Sequence, residues 1–199
     1  MWQAIVLHAP PAKFDAGRAA SLLERLPYAY RLELERRAAA ERDASLLAVE
    51  LLCDGFLRLR GVRLDPSRLQ FPLGGKPRLD GGPWFSVSHA RARVAVALSD
   101  RCDLGLDLED IGAAGRDGDA LERWTATEAT LKAIGAGIRR ARDVQLAADL
   151  ATALIDGVTV HLRRVKLAPD CVARLGTLEP GGEVVVEEWG SGRWEADSG

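Results

Sequence analysis

The chain opens on WQAIVLHA, an apolar run closed by Pro10 and Pro11, and this pattern predicts a first β-strand. The spacing of apolar positions then lengthens. Leu22, Leu23 and Leu26 share one side of a helix that Asp15 can cap. From Arg31 to Arg60 the chain is dense in Ala, Leu, Glu and Arg. Leu46, Val49, Leu52, Phe56 and Leu59 follow a helical stripe there, and Gly61 is placed to stop it. At Arg68 the pattern changes to short strands and turns. LQFPLGGKPRLDGG carries two Gly-Gly pairs and precedes WFSVSH and RVAVALS, in which Val94, Val96 and Leu98 alternate with small residues. A further alternating strand follows Arg101. IGAAGRDGD reads as a loop, and ALERWTATEATLKAIG as a helix capped by Asp119 and ended by Gly135 and Gly137. VQLAADLATALI fits helix or strand. VTVHLRRV, CVARLGTL and EVVVEEW read as strands, and SGRWEADSG as a frayed end. The order of elements predicts an α+β fold with two halves meeting near Asp100, over residues 1–101 and 102–199.

A length of 199 residues suffices to bury a sizeable core. The formal net charge is only −2, so no global field draws the chain to nucleic acid or to an acidic membrane. Any anion site has to be local. Cys53, Cys102 and Cys171 form neither a paired framework nor a metal-ligand spacing, which fits a reducing compartment. The N-terminal segment lacks the basic and apolar regions of a signal peptide, and no apolar run approaches the ~20 residues of a membrane helix. A cytoplasmic protein is therefore the expectation.

Four short stretches carry candidate chemistry. In DLGLDLED, the period of two puts Asp107 and Glu109 on one strand face, where they either meet solvent or share a hard cation such as Mg²⁺. In WTATEATLKAIG, Glu128 and Lys132 stand one helical turn apart, in the favourable order for a simple surface pair. The same spacing suits a third metal ligand, or a general base, with an ammonium beside a phosphate. Trp124 lies on that side of the helix and reads as a core anchor. GGKP, residues 74–77, lacks the spacing and hydroxyl of a Walker-A loop, yet Lys76 fixed by Pro77 can present its ammonium to a phosphate. In SVSHA, Ser88 and His89 end a strand with no nucleophile elbow and no second zinc ligand nearby. They either bind phosphate or are satisfied beneath a loop. The whole inventory suits a Mg²⁺-bridged polyphosphate held by cations and hydroxyls.

In this order GGKP, FSVSHA, LGLDLED and WTATEATLKA resemble the motifs of the 4′-phosphopantetheinyl transferase superfamily, in particular its larger, surfactin-type branch. The likeness covers residues 74–137 well and the flanks by layout. It implies two similar α+β halves related by a pseudo-two-fold, with coenzyme A in the cleft between them. The implied activity is that of a holo-[acyl-carrier-protein] synthase type enzyme. It moves the phosphopantetheine arm of coenzyme A onto a serine of an apo carrier protein (acyl, polyketide or peptidyl) and releases 3′,5′-ADP. Carried over by position, Asp107, Glu109 and Glu128 would hold Mg²⁺, with Mn²⁺ as an alternative. Asp107, Glu128 and Lys132 would be catalytic, with Glu128 taking the serine proton. Lys76, Pro77, Ser88 and His89 would bind the 3′-phosphate and nucleotide end, as would Ser45 with Arg42 or Arg31, and Lys132 would reach the phosphates. Gly105 would leave room for the pyrophosphate beside Asp107. One chain would suffice for a complete site, implying a monomer.

This sequence departs from the family pattern in three places. Thr127 stands where the family has a lysine, Ala90 replaces the second serine of SHS, and the segment before Trp124 is short. Thr127 and the short segment support a different class of function, a non-catalytic homologue that binds coenzyme A or a carrier protein. A Mg²⁺-dependent phosphohydrolase or nuclease also uses clustered acids, but the near-neutral charge and the lack of an aromatic-basic strip weigh against nucleic acid.

Overall fold

A computed structural model describes residues 1–72, 75–112 and 117–190. Gly74 of GGKP, residues 113–116 of the IGAAGRDGD loop, and SGRWEADSG lie outside these. The fold is mixed α+β, as the sequence predicts. Strand β1 (Gln3–Ala9) is followed by helices α1 (Ala16–Arg25), α2 (Tyr28–Glu35) and α3 (Ala39–Arg60). The short strands β2 (Leu69–Gln70) and β3 (Arg78–Leu79) lead into β4 (Trp84–His89), β5 (Val94–Ser99) and β6 (Leu104–Asp110). Helix α4 (Gly118–Ile134) precedes β7 (Gln145–Leu146), β8 (Thr152–Ile155), β9 (Val158–Arg164), β10 (Cys171–Thr177) and β11 (Glu183–Glu188).

Two sheets form, in the orders β11-β1-β5-β4 and β6-β10-β9-β8-β7, beside a small β2–β3 ladder. Strand β11 lies parallel to β1, so the end of the chain completes the sheet begun at its start. The outer face of the first sheet packs through Leu7, Val94, Val96 and Leu98 on α3. Its inner face, Ala4, Val6, Ala95 and Ala97, meets Leu104, Leu106 and Leu108 of β6 and Leu175 of β10. Helix α4 covers the far side of the second sheet through Ala126, Ala129 and Ala133. The layers therefore run helix, sheet, sheet, helix, and each interface buries the apolar positions of a period-2 or helical pattern.

Strands β4 and β6 join the two sheets without a backbone ladder. Ser86 Oγ accepts from Leu106 N at 2.9 Å, and Ser88 Oγ accepts from Leu108 N at 3.2 Å. The alternating serines of FSVSH thus satisfy buried amides that would otherwise lack partners.

Gly105 does not make room for a ligand. It pairs across the ladder with Gly176, and α4 lies directly over the two. A Cβ at position 105 would overlap the Ala129 carbonyl oxygen and the Ala133 amide, and one at 176 would stand 3.1 Å from Ala129 O. Paired glycines beneath a stripe of alanines let helix and sheet backbones come close.

Other boundaries also shift. Asp117, not Asp119, caps α4, accepting from Ala120 N at 2.7 Å. Gly135 ends the helix as expected, and Asp15 and Gly61 bound α1 and α3 as expected. The stretch from Arg31 to Arg60 breaks between Glu35 and Ala39, which lets Leu34 enter the core while Arg37 turns back towards Ser45. VQLAADLATALI becomes strands β7 and β8 around a turn in which Asp149 accepts from Ala151 N at 3.0 Å. No helix among the described residues is long and apolar enough to cross a membrane.

Candidate metal centre and adjoining cleft

Asp107 and Glu109 rise from β6 on the face that α4 covers, and Glu128 comes down from α4. One carboxylate oxygen from each lies within 4.8 Å of the others. In an octahedral Mg²⁺ site with bonds of about 2.1 Å, opposite ligands stand about 4.2 Å apart and adjacent ones about 3 Å, so the three oxygens would have to draw together to share one ion. Asp107 is only 3% exposed. Its Oδ1 accepts from Ser88 Oγ at 3.0 Å and from Lys132 Nζ at 2.6 Å. Its Oδ2 is buried and has no hydrogen-bond partner. A buried carboxylate oxygen without a donor is costly unless something fills the gap. Three carboxylates gathered in this way fit a hard divalent cation.

The surroundings hold these acids in place. Trp124 Nε1 donates to Glu109 Oε1 at 3.0 Å, so the supposed core anchor orients a carboxylate. Lys132 Nζ bonds Asp107, stands 3.1 Å from Ser88 Oγ, and lies 3.8 Å from Glu128 Oε2. Burial pushes the Asp107 carboxyl above the usual carboxylate range, while Lys132 and Ser88 pull it back. Thr127 points back into its own helix and donates to Arg123 O at 2.9 Å.

A separate cavity of about 280 Å³ gathers Ser45, Pro77 and His89 with Arg37 and an aromatic pair. The Tyr30 and Phe71 rings stack with centroids 3.4 Å apart. Arg37 Nη1 donates to Ser45 Oγ at 3.0 Å and pairs with Glu33. Neither Arg31 nor Arg42 lines this cavity. Arg31 stands 5.3 Å over the Tyr28 ring, and Arg42 meets Asp43 at 3.4 Å. Arg37 is thus the cation beside Ser45 that sequence reasoning missed. Its only signal is a place on the helical approach to Ser45. His89 lies in the cavity wall, and its imidazole is held below the usual value by desolvation, with Lys132 and Arg37 acting the same way.

Lys76 is held elsewhere. Its ammonium pairs with Asp103 and donates to Leu104 O at 2.7 Å, tying the KP turn to the start of β6. A smaller hollow of about 260 Å³ has Lys76 and Lys132 in its wall and shares Pro77 and Phe85 with the His89 cavity. The two spaces adjoin, and Lys132, in the wall of the smaller one, is the residue that donates to Asp107. A third hollow, of about 600 Å³ beside Trp84, includes none of the three cluster carboxylates. All three cysteines are free thiols, and burial raises each, Cys53 to about 12, so none is poised as a nucleophile.

No protein-family model matches the chain, and no curated protein matches it.

Proposed function

We propose that the chain is a 4′-phosphopantetheinyl transferase that acts on coenzyme A and an apo carrier protein. The observation that carries this reading is the buried, partnerless Oδ2 of Asp107, a member of the cluster with Glu109 and Glu128, beside hollows whose walls hold Lys76, Lys132 and Arg37. A phosphohydrolase would also use such a cluster. The cavity of Ser45, Arg37 and His89, with its aromatic pair, favours a substrate whose second anionic end and flat ring lie away from the reacting phosphate.

In this reading the two similar α+β halves of the family correspond to residues 1–101 and 102–199, with β11 crossing back to complete the first sheet and the coenzyme in the cleft between the halves. Asp107, Glu109 and Glu128 would hold Mg²⁺, or Mn²⁺ in its place, and a cation there would supply positive charge to the pyrophosphate oxygens. Lys132, on the edge of the same cluster, offers its ammonium to the phosphate oxygens. Glu128 accepts the proton of the carrier serine hydroxyl as the serine oxygen bonds to phosphorus. The bond from that phosphorus to the bridging oxygen breaks, and 3′,5′-ADP leaves with its electrons. Arg37, Ser45 and His89 hold the far phosphate, and Pro77 borders the nucleotide. The protein acts as a cytoplasmic monomer.

A second reading, a non-catalytic coenzyme or carrier binder, gains support from Thr127, which provides a back-bonded hydroxyl where the family has an ammonium. One experiment separates the two. Purified protein is incubated with Mg²⁺, coenzyme A and a panel of apo carriers, and the carriers are weighed by mass spectrometry. Gain of one phosphopantetheine arm is expected on at least one carrier. No gain on any carrier, with coenzyme A still bound, points to the binder, and loss of both sinks the reading.

A further inference from the structure

We infer that Ser88 is a positioning residue, which holds the carboxylate of Asp107 by its Oδ1 and leaves the buried Oδ2 as the oxygen available to a cation. The inference rests on the metal reading of the acidic cluster. A serine hydroxyl has one proton to donate and two lone pairs to accept with. At Ser88 all three are used: the proton goes to Asp107 Oδ1, and the lone pairs receive Leu108 N and Lys132 Nζ. The side chain is buried, so no donor remains for a phosphate oxygen.

The terminal torsion of an aspartate is broad, and a buried carboxylate held at one point can still rotate. Two donors on Oδ1, one from β4 and one from α4, stop that rotation. Ser88 is itself tethered by the Leu108 amide, the residue immediately after Asp107. Strand β4 therefore sets both the backbone position and the carboxylate angle of its neighbour. Groups that orient a metal ligand in this way influence affinity nearly as strongly as the ligand does.

Ser86 provides an internal control. It lies two residues earlier on the same face and makes the same kind of bond, to Leu106 N, but no carboxylate bond is found for it. Removing either hydroxyl weakens the seam between β4 and β6, whereas only Ser88 touches a ligand.

The test is Mn²⁺ titration of the full chain, followed by the electron paramagnetic resonance of free Mn²⁺, with thermal unfolding in parallel. Ser88→Ala is expected to weaken Mn²⁺ binding roughly ten- to hundredfold. Ser86→Ala is expected to stay within about threefold of the unsubstituted protein, with a similar loss of melting temperature. Ser88→Cys keeps the volume with a weak donor and takes the place of the alanine variant if that one fails to fold. Mn²⁺ affinity unchanged in the Ser88 variants overturns the inference, as does an equal loss in Ser86→Ala. A starting protein that binds no Mn²⁺ sinks the metal reading and this inference with it.

Discussion

At the scale of single residues, local periodicity made the two halves of the acidic cluster legible, and the family resemblance joined them. A period of two aligned Asp107 with Glu109, and helical spacing aligned Glu128 with Lys132. The partners that give each acid its state were not legible, because they come from distant parts of the chain. Trp124 reaches Glu109 from a helix whose start lies beyond a loop, and Ser88 reaches Asp107 across the seam between two sheets. Arg37 was hidden for another reason. Four arginines, at 31, 36, 37 and 42, stand near Ser45 in sequence, and only the break after α2 selects among them. His89 offers a test at this scale. Its folded value is depressed, so below about 6.5 the unfolded chain takes up a proton there that the folded chain refuses. The stability it contributes is present above that value and is lost as pH falls towards the folded value. Chemical denaturation between pH 7 and pH 5 should show the unsubstituted protein losing stability faster than His89→Gln. Parallel curves would mean that His89 is not desolvated.

At the scale of elements, nearly all strands and helices were readable from apolar spacing, and the failures have physical causes. None of Arg36, Arg37 and Ala38 at the break before α3 is a glycine or proline, so it leaves no local mark; Leu34 is buried just before it. VQLAADLATALI is short and rich in alanine, and β9 decides its state by offering a partner edge. Gly105 was misread because a bare backbone beside an acid invites a ligand, whereas here it admits a helix. Gly105→Ala should therefore push α4 off β6, costing about 1–3 kcal/mol or more. Because α4 carries Glu128 and Lys132, Mn²⁺ binding should fall in the same variant. Urea unfolding and metal titration together check this. A stable variant with intact metal affinity would show that the helix has slack.

At the scale of the whole molecule, the two sheets share one inner core, and the last described strand belongs with the first. Trp2 packs over Gly182, whose φ of 84° favours glycine, and Glu183 N donates to Trp2 O at 3.1 Å. Gly182→Ala would strain the backbone and crowd the Trp2 ring, with an expected cost of about 1–3 kcal/mol. Hydrogen exchange should rise first in β1 and β11 and later in α4. Uniform exchange across all elements would contradict a locally anchored strand.

The β1–β11 pairing also has a consequence for synthesis. Gln3 is matched with Glu183, 180 residues later in the chain. At roughly 5–20 residues per second, the outer edge of β1 waits some ten to forty seconds for its partner to be made. Throughout that interval a nascent strand of apolar residues presents unpaired amides and carbonyls, the condition under which neighbouring chains on one message, or a chaperone, can reach it first.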